Sequence, residues 1–284
     1  MTFALKQMSI EIIFYIFVFI FGTIVGSFLN VLVLRYNTGV SAMKGRSFCF
    51  SCGKKLGPLE LIPVFSFIFQ GGKCAGCGSK ISWQYPIVES LTGLLFVGAF
   101  VRYFGLSGLL FETWYVLITL ITVSVLISIT VYDIKHKIIP DGLVITFGVL
   151  ALLKIVADYF LMTSTPEEIK VHLISYLVAG PALALPLFLI WLVSRGRWMG
   201  LGDPKLVLGI GWFLGPVLGL SAVILAFWTG AIYGVVLLIL SKFKWHGLQI
   251  DGKSEVPFAP FLILGFLLVF FFNIDILGLA FLIP

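Results

Sequence analysis

Long apolar runs, separated by short charged or glycine-rich breaks, dominate this sequence. Because a membrane-spanning helix needs roughly 20 mostly apolar residues, the runs predict an all-α, polytopic membrane protein with about eight transmembrane helices. The sixth of these is short and contains Gly209, Gly211, Gly215 and Pro216, so its ends are the least sharply marked. The predicted spans are roughly 11–34, 86–104, 112–132, 142–161, 171–194, 205–219, 221–241 and 258–276.

The composition agrees with this prediction, since 60% of the residues are hydrophobic and only 11% are charged. A soluble domain usually carries about 25% charged residues. The formal net charge of +6 can indicate a nucleic-acid partner. In a membrane protein, however, the positions of the positive residues matter more than their sum. We therefore predict a lipid bilayer around the helices and no nucleic acid as a partner.

The distribution of positive residues predicts an orientation in the membrane. An even number of spans places both termini on the same side. In one of the two orientations, all 19 Lys and Arg residues except Lys6, Arg102, Lys154 and Lys170 fall on the cytoplasmic side. The positive-inside rule selects that orientation, with both termini outside the cytoplasm. A random scatter of charges over the loops does not account for so uneven a distribution.

The longest break, residues 35–85, contains all four cysteines as two Cys-x-x-Cys pairs, each followed by glycine. The pairs are separated by 21 residues, a spacing typical of zinc ribbons. Four thiolates close a tetrahedral shell around Zn²⁺, which holds structure and leaves no position for a reacting water. A loop of about 50 residues has too few core side chains to fold alone. We therefore predict a structural zinc site at Cys49, Cys52, Cys74 and Cys77.

Two other interpretations of the cysteines remain open. A pair of disulfides is one, although the reducing cytoplasmic side disfavours it. A redox-active Cys-x-x-Cys is another, although two tandem pairs fit it poorly. With a zinc loop, the predicted organisation is a first transmembrane helix at 1–34, a cytoplasmic zinc-binding loop at 35–85 and a second transmembrane domain at 86–284.

Ionisable residues within or at the edge of membrane spans are costly and mark candidate functional sites. In the orientation above, Asp133 and Asp203 both lie at the cytoplasmic boundary, on different helices. Two carboxyl groups at matched depth can share one proton, so that one takes a proton from water while the other polarises a carbonyl. We therefore interpret them as a candidate catalytic pair for peptide hydrolysis, which makes residues 86–284 the predicted transmembrane aspartyl protease domain.

The surroundings of Asp203 allow a structural role as well. Gly200 and Gly202 remove side chains beside it, which leaves room for a peptide backbone. Asp203 followed by Pro204 is also a good helix N-cap, and a cap and a catalyst are compatible. Glu89 lies in the first turn of its span. This position fits helix capping or an interaction with the helix dipole as well as it fits a catalytic role.

The other acids have structural alternatives too. Asp133 and Asp141 could be loop charges neutralised by Lys135 and Lys137. We retain Asp141 as a residue that supports the candidate site. His172 lies near the predicted outer face and is predicted to lie outside the site.

Several short motifs occur in an order that resembles the bacterial type IV prepilin peptidases, which belong to the G-x-G-D aspartyl membrane proteases. The resemblance runs from about residue 22 to residue 265. The G-x-G-D string alone is weak evidence, whereas the ordered set is specific. Besides the paired cysteines, the motifs are Gly26-Ser-Phe-Leu-Asn-Val31, Leu61-Ile-Pro63, Tyr85-Pro-Ile-Val-Glu89, Asp133 through Ile-Pro-Asp141, Gly200-Leu-Gly-Asp203-Pro-Lys-Leu206 and Pro257-Phe-Ala-Pro-Phe261.

The resemblance implies two activities at the bacterial inner membrane. Members of this family cleave the basic leader of type IV prepilins and type II secretion pseudopilins after a glycine, on the cytoplasmic side. Many then methylate the new amino terminus with S-adenosylmethionine. By motif position, the resemblance implies Asp133 and Asp203 as catalytic residues and the four cysteines as zinc ligands. The first pair reads Cys-Phe-Ser-Cys where the family often has Pro after the first Cys, a departure that leaves the ligands intact.

Two other functions are compatible with membrane carboxylates and a zinc loop. A proton-coupled transporter is one, although it would be expected to show repeated halves and acids near the middle of the membrane. A non-catalytic scaffold for pilus or secretion assembly is the other. The sequence shows no glycine-rich dinucleotide-type loop for the methyl donor, and it predicts no particular oligomeric state.

Overall fold

A computed structural model describes residues 2–41, 43–103, 109–161, 165–242 and 256–279 of the chain. The described residues form helices and loops without a named strand. The chain divides into two compact units, Met1–Ser128 and Ile129–Pro284. The helices are α1 (Thr2–Arg35), α2 (Phe65–Phe69), α3 (Gln84–Tyr103), α4 (Leu109–His136), α5 (Asp141–Leu161), α6 (Pro166–Ser194), α7 (Gly202–Lys242) and α8 (Ala259–Phe272), with a 3-10 turn at Pro58–Leu61.

The predicted all-α, multi-pass membrane protein is confirmed, with a difference in the number of helices. Among the described residues, six helices are long and apolar enough to cross a membrane, namely α1 and α3 to α7. Helix α8 is apolar but shorter. Helix α7 is interrupted at Gly215 and therefore consists of two helical segments. The predicted sixth and seventh spans correspond to these two segments, with the break at Gly215 rather than near residue 220.

The chain reverses direction at Gly215. A Cβ added at Gly219 would lie 3.3 Å from the Cα of Gly211. A continuous helix would separate two residues eight positions apart by about 12 Å, so the two segments of α7 form a helical hairpin. Gly215 has φ 78°, and a Cβ there would also lie 2.7 Å from the Tyr176 ring. Glycine is therefore required at this turn both by its backbone conformation and by its packing.

In the first unit, α1 and α3 pack closely through small residues. A Cβ at Gly22 would lie 2.7 Å from the Cα of Gly93, and one at Gly26 would lie 2.8 Å from the Cα of Glu89. The Gly22-x-x-x-Gly26 spacing places both glycines on the same face of α1. Close backbone approach through such small residues is typical of helix pairs in membranes.

In the second unit, the core is a cluster of aromatic rings from three helices. Phe147 of α5, Phe213 of α7 and Phe266 of α8 lie with ring centroids 5.2 to 6.2 Å apart. A Cβ at Gly209 would lie 2.6 Å from the Phe147 ring, and one at Gly211 would lie 2.7 Å from the carbonyl of Ala179 in α6. The glycines of α7 thus allow α5 and α6 to pack tightly against it.

A second group of polar residues lies near the Gly215 turn. Lys154 forms an ion pair of 2.9 Å with Asp158, and its Nζ lies 5.2 Å from the centre of the Tyr176 ring. His172 stacks on Tyr176 at 4.2 Å. These groups lie by the turn that ends the first segment of α7, while Asp203 lies at the start of that segment.

The orientation predicted from the charges involves some residues that lie outside the described ones. Lys244 and Lys253, both assigned to the cytoplasmic side, belong to the range 243–255, and the side chain of Lys6 is likewise not described. Within the second unit, the described helix ends are consistent with a single orientation, because four of them lie together. The last turn of α4, the first turns of α5 and α7 and the first turn of α8 meet at the same end, as the contacts below show.

Candidate active site and metal site

Asp133 lies in the last turn of α4 and is buried, with 4% of its surface exposed. The helix ends just beyond it because Lys137 adopts the left-handed conformation (φ 53°). The Lys137 N–H donates to the Asp133 carbonyl at 2.7 Å. The helix end thus holds the Asp133 backbone in place, with its carboxyl group turned into the protein.

The Asp133 carboxyl group faces the start of α8. The backbone N–H of Ala259 lies close enough to interact with it. Ala259 is the first residue of α8, and the next residue, Pro260, has no N–H. The first N–H groups of a helix have no partner within the helix, so the Ala259 donor is free for this contact. Oδ2 of Asp133 is buried and has no hydrogen-bond partner among the described residues, which leaves an acceptor for water or substrate.

Asp203 lies in the first turn of α7 and is also buried, with 7% of its surface exposed. The helix begins at Gly202, so Asp203 and Pro204 lie inside its first turn, where Pro is tolerated. The backbone of Gly200 is a hydrogen-bond partner of the Asp203 carboxyl group. Asp203 is also close enough to Asp133 for the two carboxyl groups to interact electrostatically. The structure therefore brings together the two aspartates that the sequence singled out.

The two glycines of the G-x-G-D motif have different surroundings. A Cβ at Gly202 would lie 2.7 Å from the Cβ of Ile139, which belongs to the connection between α4 and α5. Gly202 therefore allows this connection to pack on the start of α7. At Gly200, a Cβ would have only ordinary contacts, the nearest 3.8 Å away at Oδ2 of Asp203. Of the two glycines, Gly200 alone therefore leaves room beside Asp203, whereas the sequence predicted room at both.

Asp141 does not join the buried pair. It is the first residue of α5, and its side chain is 67% exposed and forms an ion pair of 2.7 Å with Lys205. The sequence offered Lys135 and Lys137 as its neutralising partners, but the described ion pair is with Lys205. Because Lys205 follows Asp203 by two residues, this ion pair connects the start of α5 to the start of α7, beside the site.

In the first unit, the two Cys-x-x-Cys pairs form matching turns. The Gly53 N–H donates to the Cys49 carbonyl at 2.8 Å, and the Gly78 N–H donates to the Cys74 carbonyl at 2.8 Å. Both glycines have positive φ angles, 69° and 71°, which explains why glycine follows each pair. The second member of each pair, Cys52 or Cys77, is exposed.

The four sulfur atoms are arranged as a metal would require. The Sγ atoms of Cys49, Cys52, Cys74 and Cys77 all lie within 4.8 Å of one another. Cys49 and Cys77 have their Sγ atoms 3.9 Å apart. A tetrahedral zinc with Zn–S bonds of about 2.3 Å separates its sulfurs by about 3.8 Å, whereas a disulfide bond is about 2.05 Å. All four are free cysteines, so the geometry fits a metal ion and does not form the disulfides left open above.

The surroundings of the thiols differ from one cysteine to the next. At Cys52 a hydrogen bond from the Lys54 backbone is outweighed by burial and by contacts with the other thiols, which raise its pKa to about 11. The pKa of Cys49 is lowered to about 6, chiefly by backbone hydrogen bonds from Cys52 and Ser51. Hydrogen bonds from Ser79 lower the pKa of Cys77. A lowered thiol pKa favours the thiolate, which is the form that binds metal.

Glu89 belongs to the first unit, whereas both aspartates belong to the second. It is buried, with 6% of its surface exposed. Its Oε2 accepts a hydrogen bond of 2.7 Å from the backbone N–H of Val64, and the Ser27 side chain also hydrogen-bonds to it. Both partners lie outside α3, so the carboxyl group of Glu89 joins α3 to α1 and to the cysteine loop rather than capping its own helix.

Two family models match the chain. The model of the bacterial peptidase A24 N-terminal domain matches residues 20–103, and the model of the type IV leader peptidase family matches residues 120–235. The prepilin leader peptidase/N-methyltransferase of Bacillus subtilis is 32% identical over 92% of this chain and 95% of its own length. The chain belongs to the type IV leader peptidase family.

Other relatives from this family are similarly distant. The prepilin leader peptidase/N-methyltransferase of Pseudomonas aeruginosa is 30% identical over 85% of this chain and 84% of its own length. The enzyme of the same name from Myxococcus xanthus is 32% identical over 80% of this chain and 64% of its own length. No solved structure matches the chain.

Two contacts at buried carboxyl groups could be predicted neither from the sequence nor from membership of the leader peptidase family. Ala259 and Val64 each place a backbone N–H at a buried carboxyl group, at Asp133 and Glu89 respectively. No side-chain pattern marks a backbone donor. The signals that were present are indirect: Pro260 directly follows Ala259, and Pro63 directly precedes Val64.

Proposed function

We propose that this chain is an aspartyl endopeptidase that removes the basic leader from type IV prepilins and type II secretion pseudopilins. Cleavage follows a glycine at the cytoplasmic face of the bacterial inner membrane. The enzyme then methylates the new amino terminus with S-adenosylmethionine. The observation that carries the proposal is the meeting of two buried carboxyl groups, Asp133 and Asp203, at one end of the second unit.

The two carboxyl groups supply the acid and the base that peptide hydrolysis needs. The ionised member takes a proton from water, and that water attacks the carbonyl carbon of the scissile bond. The protonated member donates its proton to the carbonyl oxygen as the tetrahedral intermediate forms. When the intermediate collapses, the C–N bond breaks and the leaving nitrogen takes a proton from the carboxyl group that had received it from water. As the carbonyl re-forms, a hydroxyl group of the intermediate gives its proton to the other carboxylate, so that both carboxyl groups return to their starting states.

The short helices at the site support access for an extended peptide. The first segment of α7, from Gly202 to the turn at Gly215, and helix α8 are each about 20 Å long at 1.5 Å per residue. The hydrocarbon core of a bilayer is about 30 Å thick. Helices this short do not fill that thickness. Asp203 at the start of one, and Asp133 facing the start of the other, can therefore lie in a recess that a peptide enters from the aqueous side.

The proposal is tested with purified full-length protein and a synthetic prepilin peptide that spans the leader and the first residues of the mature pilin. We expect cleavage after the glycine, followed by incorporation of label from methyl-labelled S-adenosylmethionine into the mature fragment. Mass spectrometry of the products measures both steps. An intact peptide after incubation with folded protein would contradict the peptidase assignment, and cleavage without labelling would limit the proposal to proteolysis.

We also propose zinc as the metal of the cysteine site, because four thiolates select zinc over harder cations. Cys49, Cys52, Cys74 and Cys77 would hold it, and its role would be to fold the loop. The described parts of the chain offer no fifth ligand in this cluster. The metal is accordingly proposed as a structural element, outside the hydrolytic reaction.

The proposed orientation, with both termini outside the cytoplasm, predicts which loops are accessible from outside. Glu167 at the start of α6 and Trp198 in the α6–α7 connection are both exposed in the structure. They lie at opposite ends of α6. In spheroplasts, a membrane-impermeant maleimide should label Glu167→Cys at once and Trp198→Cys only after permeabilisation. The wild-type protein reports labelling of the native cysteines, and the reverse order of labelling would invert the orientation.

The transporter and scaffold alternatives are not favoured. The matching family model describes leader peptidases, and the relatives are named as enzymes. The carboxyl groups lie at the ends of helices rather than in the middle of long ones. A non-catalytic scaffold would also have no use for a buried carboxyl oxygen that lacks a hydrogen-bond partner among the described residues, as Oδ2 of Asp133 does.

A further inference from the structure

Helix α2, in the loop that carries the four cysteines, has two unlike faces. Phe65, Ile68 and Phe69 form its outward face, because residues three and four positions apart are neighbours on a helix. They are 57%, 64% and 85% exposed, and the rings of Phe65 and Phe69 stack with centroids 6.5 Å apart. Ser66 and Phe67 lie on the other face and are half-buried. The outward face is therefore wholly apolar, and the described residues leave it uncovered.

The 3-10 turn before α2 extends this apolar surface along the chain. Leu59 is 78% exposed, and Leu61 and Ile62 are 40% and 42% exposed. The Ser66 N–H donates to the Ile62 carbonyl at 3.0 Å, which connects the end of the turn to the start of α2. Soluble proteins rarely expose so many apolar side chains close together, and patches of this kind mark contacts with a membrane or with another protein.

The apolar surface continues into the lipid-facing side of α3. That helix is long and apolar enough to cross the membrane, and Ile87, Leu91 and Leu94 are exposed along one side of it. The Ile87 N–H donates to the Trp83 carbonyl at 3.2 Å, so Trp83 extends this side by one turn. Its ring contacts Phe67 of α2, with centroids 4.8 Å apart. Because exposed tryptophans are enriched where a span meets the headgroups, this contact places α2 at the membrane surface.

Positive residues accompany the patch. Lys73 and Lys80 are both exposed and are paired in an antiparallel bridge. Lys73 lies three residues after Gln70, the C-cap of α2, and Lys80 lies three residues before Trp83. No ion pair between described residues involves either lysine. The cytoplasmic leaflet carries anionic lipids, which attract basic segments beside a spanning helix. The loop thus combines an apolar face with the charges that such a leaflet binds.

We propose that the cysteine loop is docked on the cytoplasmic leaflet. The outward face of α2 lies among the lipid chains just below the headgroups, and Lys73 and Lys80 bind anionic phosphate groups. Lipid is favoured over a protein partner because the face is continuous with the lipid-facing side of α3. An amphipathic segment binds a bilayer through its buried apolar area together with its attraction to anionic lipids. The inference is independent of the proposed peptidase activity, and its test needs no turnover.

The test uses full-length protein in phosphatidylcholine vesicles, with or without phosphatidylglycerol, that contain a phospholipid with a photoreactive diazirine in its acyl chain. After irradiation and denaturation, trypsin releases the peptide Leu56–Lys73, which spans the 3-10 turn and α2. Mass spectrometry measures the lipid attached to this peptide. We expect strong labelling, which should fall when phosphatidylglycerol is left out. Phe69→Glu should lower the labelling about 5-fold or more, because a carboxylate opposes insertion among lipid chains.

Two variants serve as controls in the same vesicles. Phe69→Leu keeps an apolar side chain and should be labelled as the wild type is. Phe50, in the first cysteine turn, is 73% exposed, so Phe50→Glu adds the same charge at an exposed ring outside α2. It should leave the labelling of Leu56–Lys73 unchanged. Phe69→Glu should keep the zinc content of the wild type, which shows that its loop remains folded.

Three outcomes would contradict the inference. A wild-type Leu56–Lys73 peptide without attached lipid would overturn it, as would equal labelling of the wild type and Phe69→Glu. Equal labelling with and without phosphatidylglycerol would overturn the role of Lys73 and Lys80. In the third, a prepilin added to Asp133→Asn, which should leave it uncleaved, displaces the lipid label from α2. That result would assign the outward face to the substrate instead.

Discussion

Asp133→Asn and Asp203→Asn should each reduce the rate of leader cleavage by about 10³-fold or more, because each removes one member of an acid–base pair. An amide keeps the size of the side chain but neither takes a proton from water nor donates one from a carboxylic acid. Both aspartates are buried and interact with each other, whereas Asp141 beside them is exposed and paired with Lys205. The measurement is the initial rate of prepilin cleavage by purified variants.

An isosteric change elsewhere provides the control. Asp275 lies beyond the far end of α8, where its carboxyl group accepts from the Leu277 N–H at 3.2 Å. Asp275→Asn should cleave prepilin at close to the wild-type rate, and membrane insertion should be the same for all three variants. Near-normal cleavage by Asp133→Asn or Asp203→Asn would refute the pair. Asp141, exposed beside the site, would then be the next carboxyl group to substitute.

The helices could be predicted from the sequence because their apolar runs are local and long. The exception, the turn at Gly215, shows where such reasoning fails. The run from Gly202 to Lys242 is apolar along most of its length, and the seven glycines in it are equally permissive by type. Gly215 is the one that turns because it has positive φ and because Tyr176 of α6 packs against it. That contact joins residues far apart in sequence, and no local pattern encodes it.

The candidate sites divide in the same way. The cysteine turns are local structures, since each pair and its glycine form one hydrogen-bonded turn, and their spacing could be predicted to form a metal site. The environment of Asp133 depends instead on Ala259, which is more than 100 positions away and contributes only its backbone. The position of the Glu89 carboxyl group likewise depends on Val64 and Ser27, which lie outside its own helix. The sequence could therefore identify the reactive residues, while the structure was needed to identify their partners.

Loss of the metal from the four-cysteine site should have a large effect on the folding of the loop. Purified protein kept reduced should contain about one zinc per chain, and Cys74→Ser should contain almost none, because three thiolates do not close the tetrahedral shell. Metal binding supplies folding free energy to small domains of this kind. Cys74 is the buried member of the four cysteines, so its loss should unfold the loop rather than only expose the metal.

Trypsin makes this unfolding measurable, since the loop carries several Lys and Arg residues, among them Lys54, Lys55 and Lys73. We expect the zinc-bound wild-type loop to resist brief digestion. After chelation of the metal, or in Cys74→Ser, we expect trypsin to cut the chain within the loop. Ser51→Ala is the matched control, because Ser51 lies inside the first cysteine turn without being a ligand. It should keep its zinc and its resistance. Zinc-free wild-type protein under reducing conditions, or a Cys74→Ser variant that keeps one zinc and resists trypsin, would refute the four-thiolate site and leave the folding of this loop to its few apolar side chains.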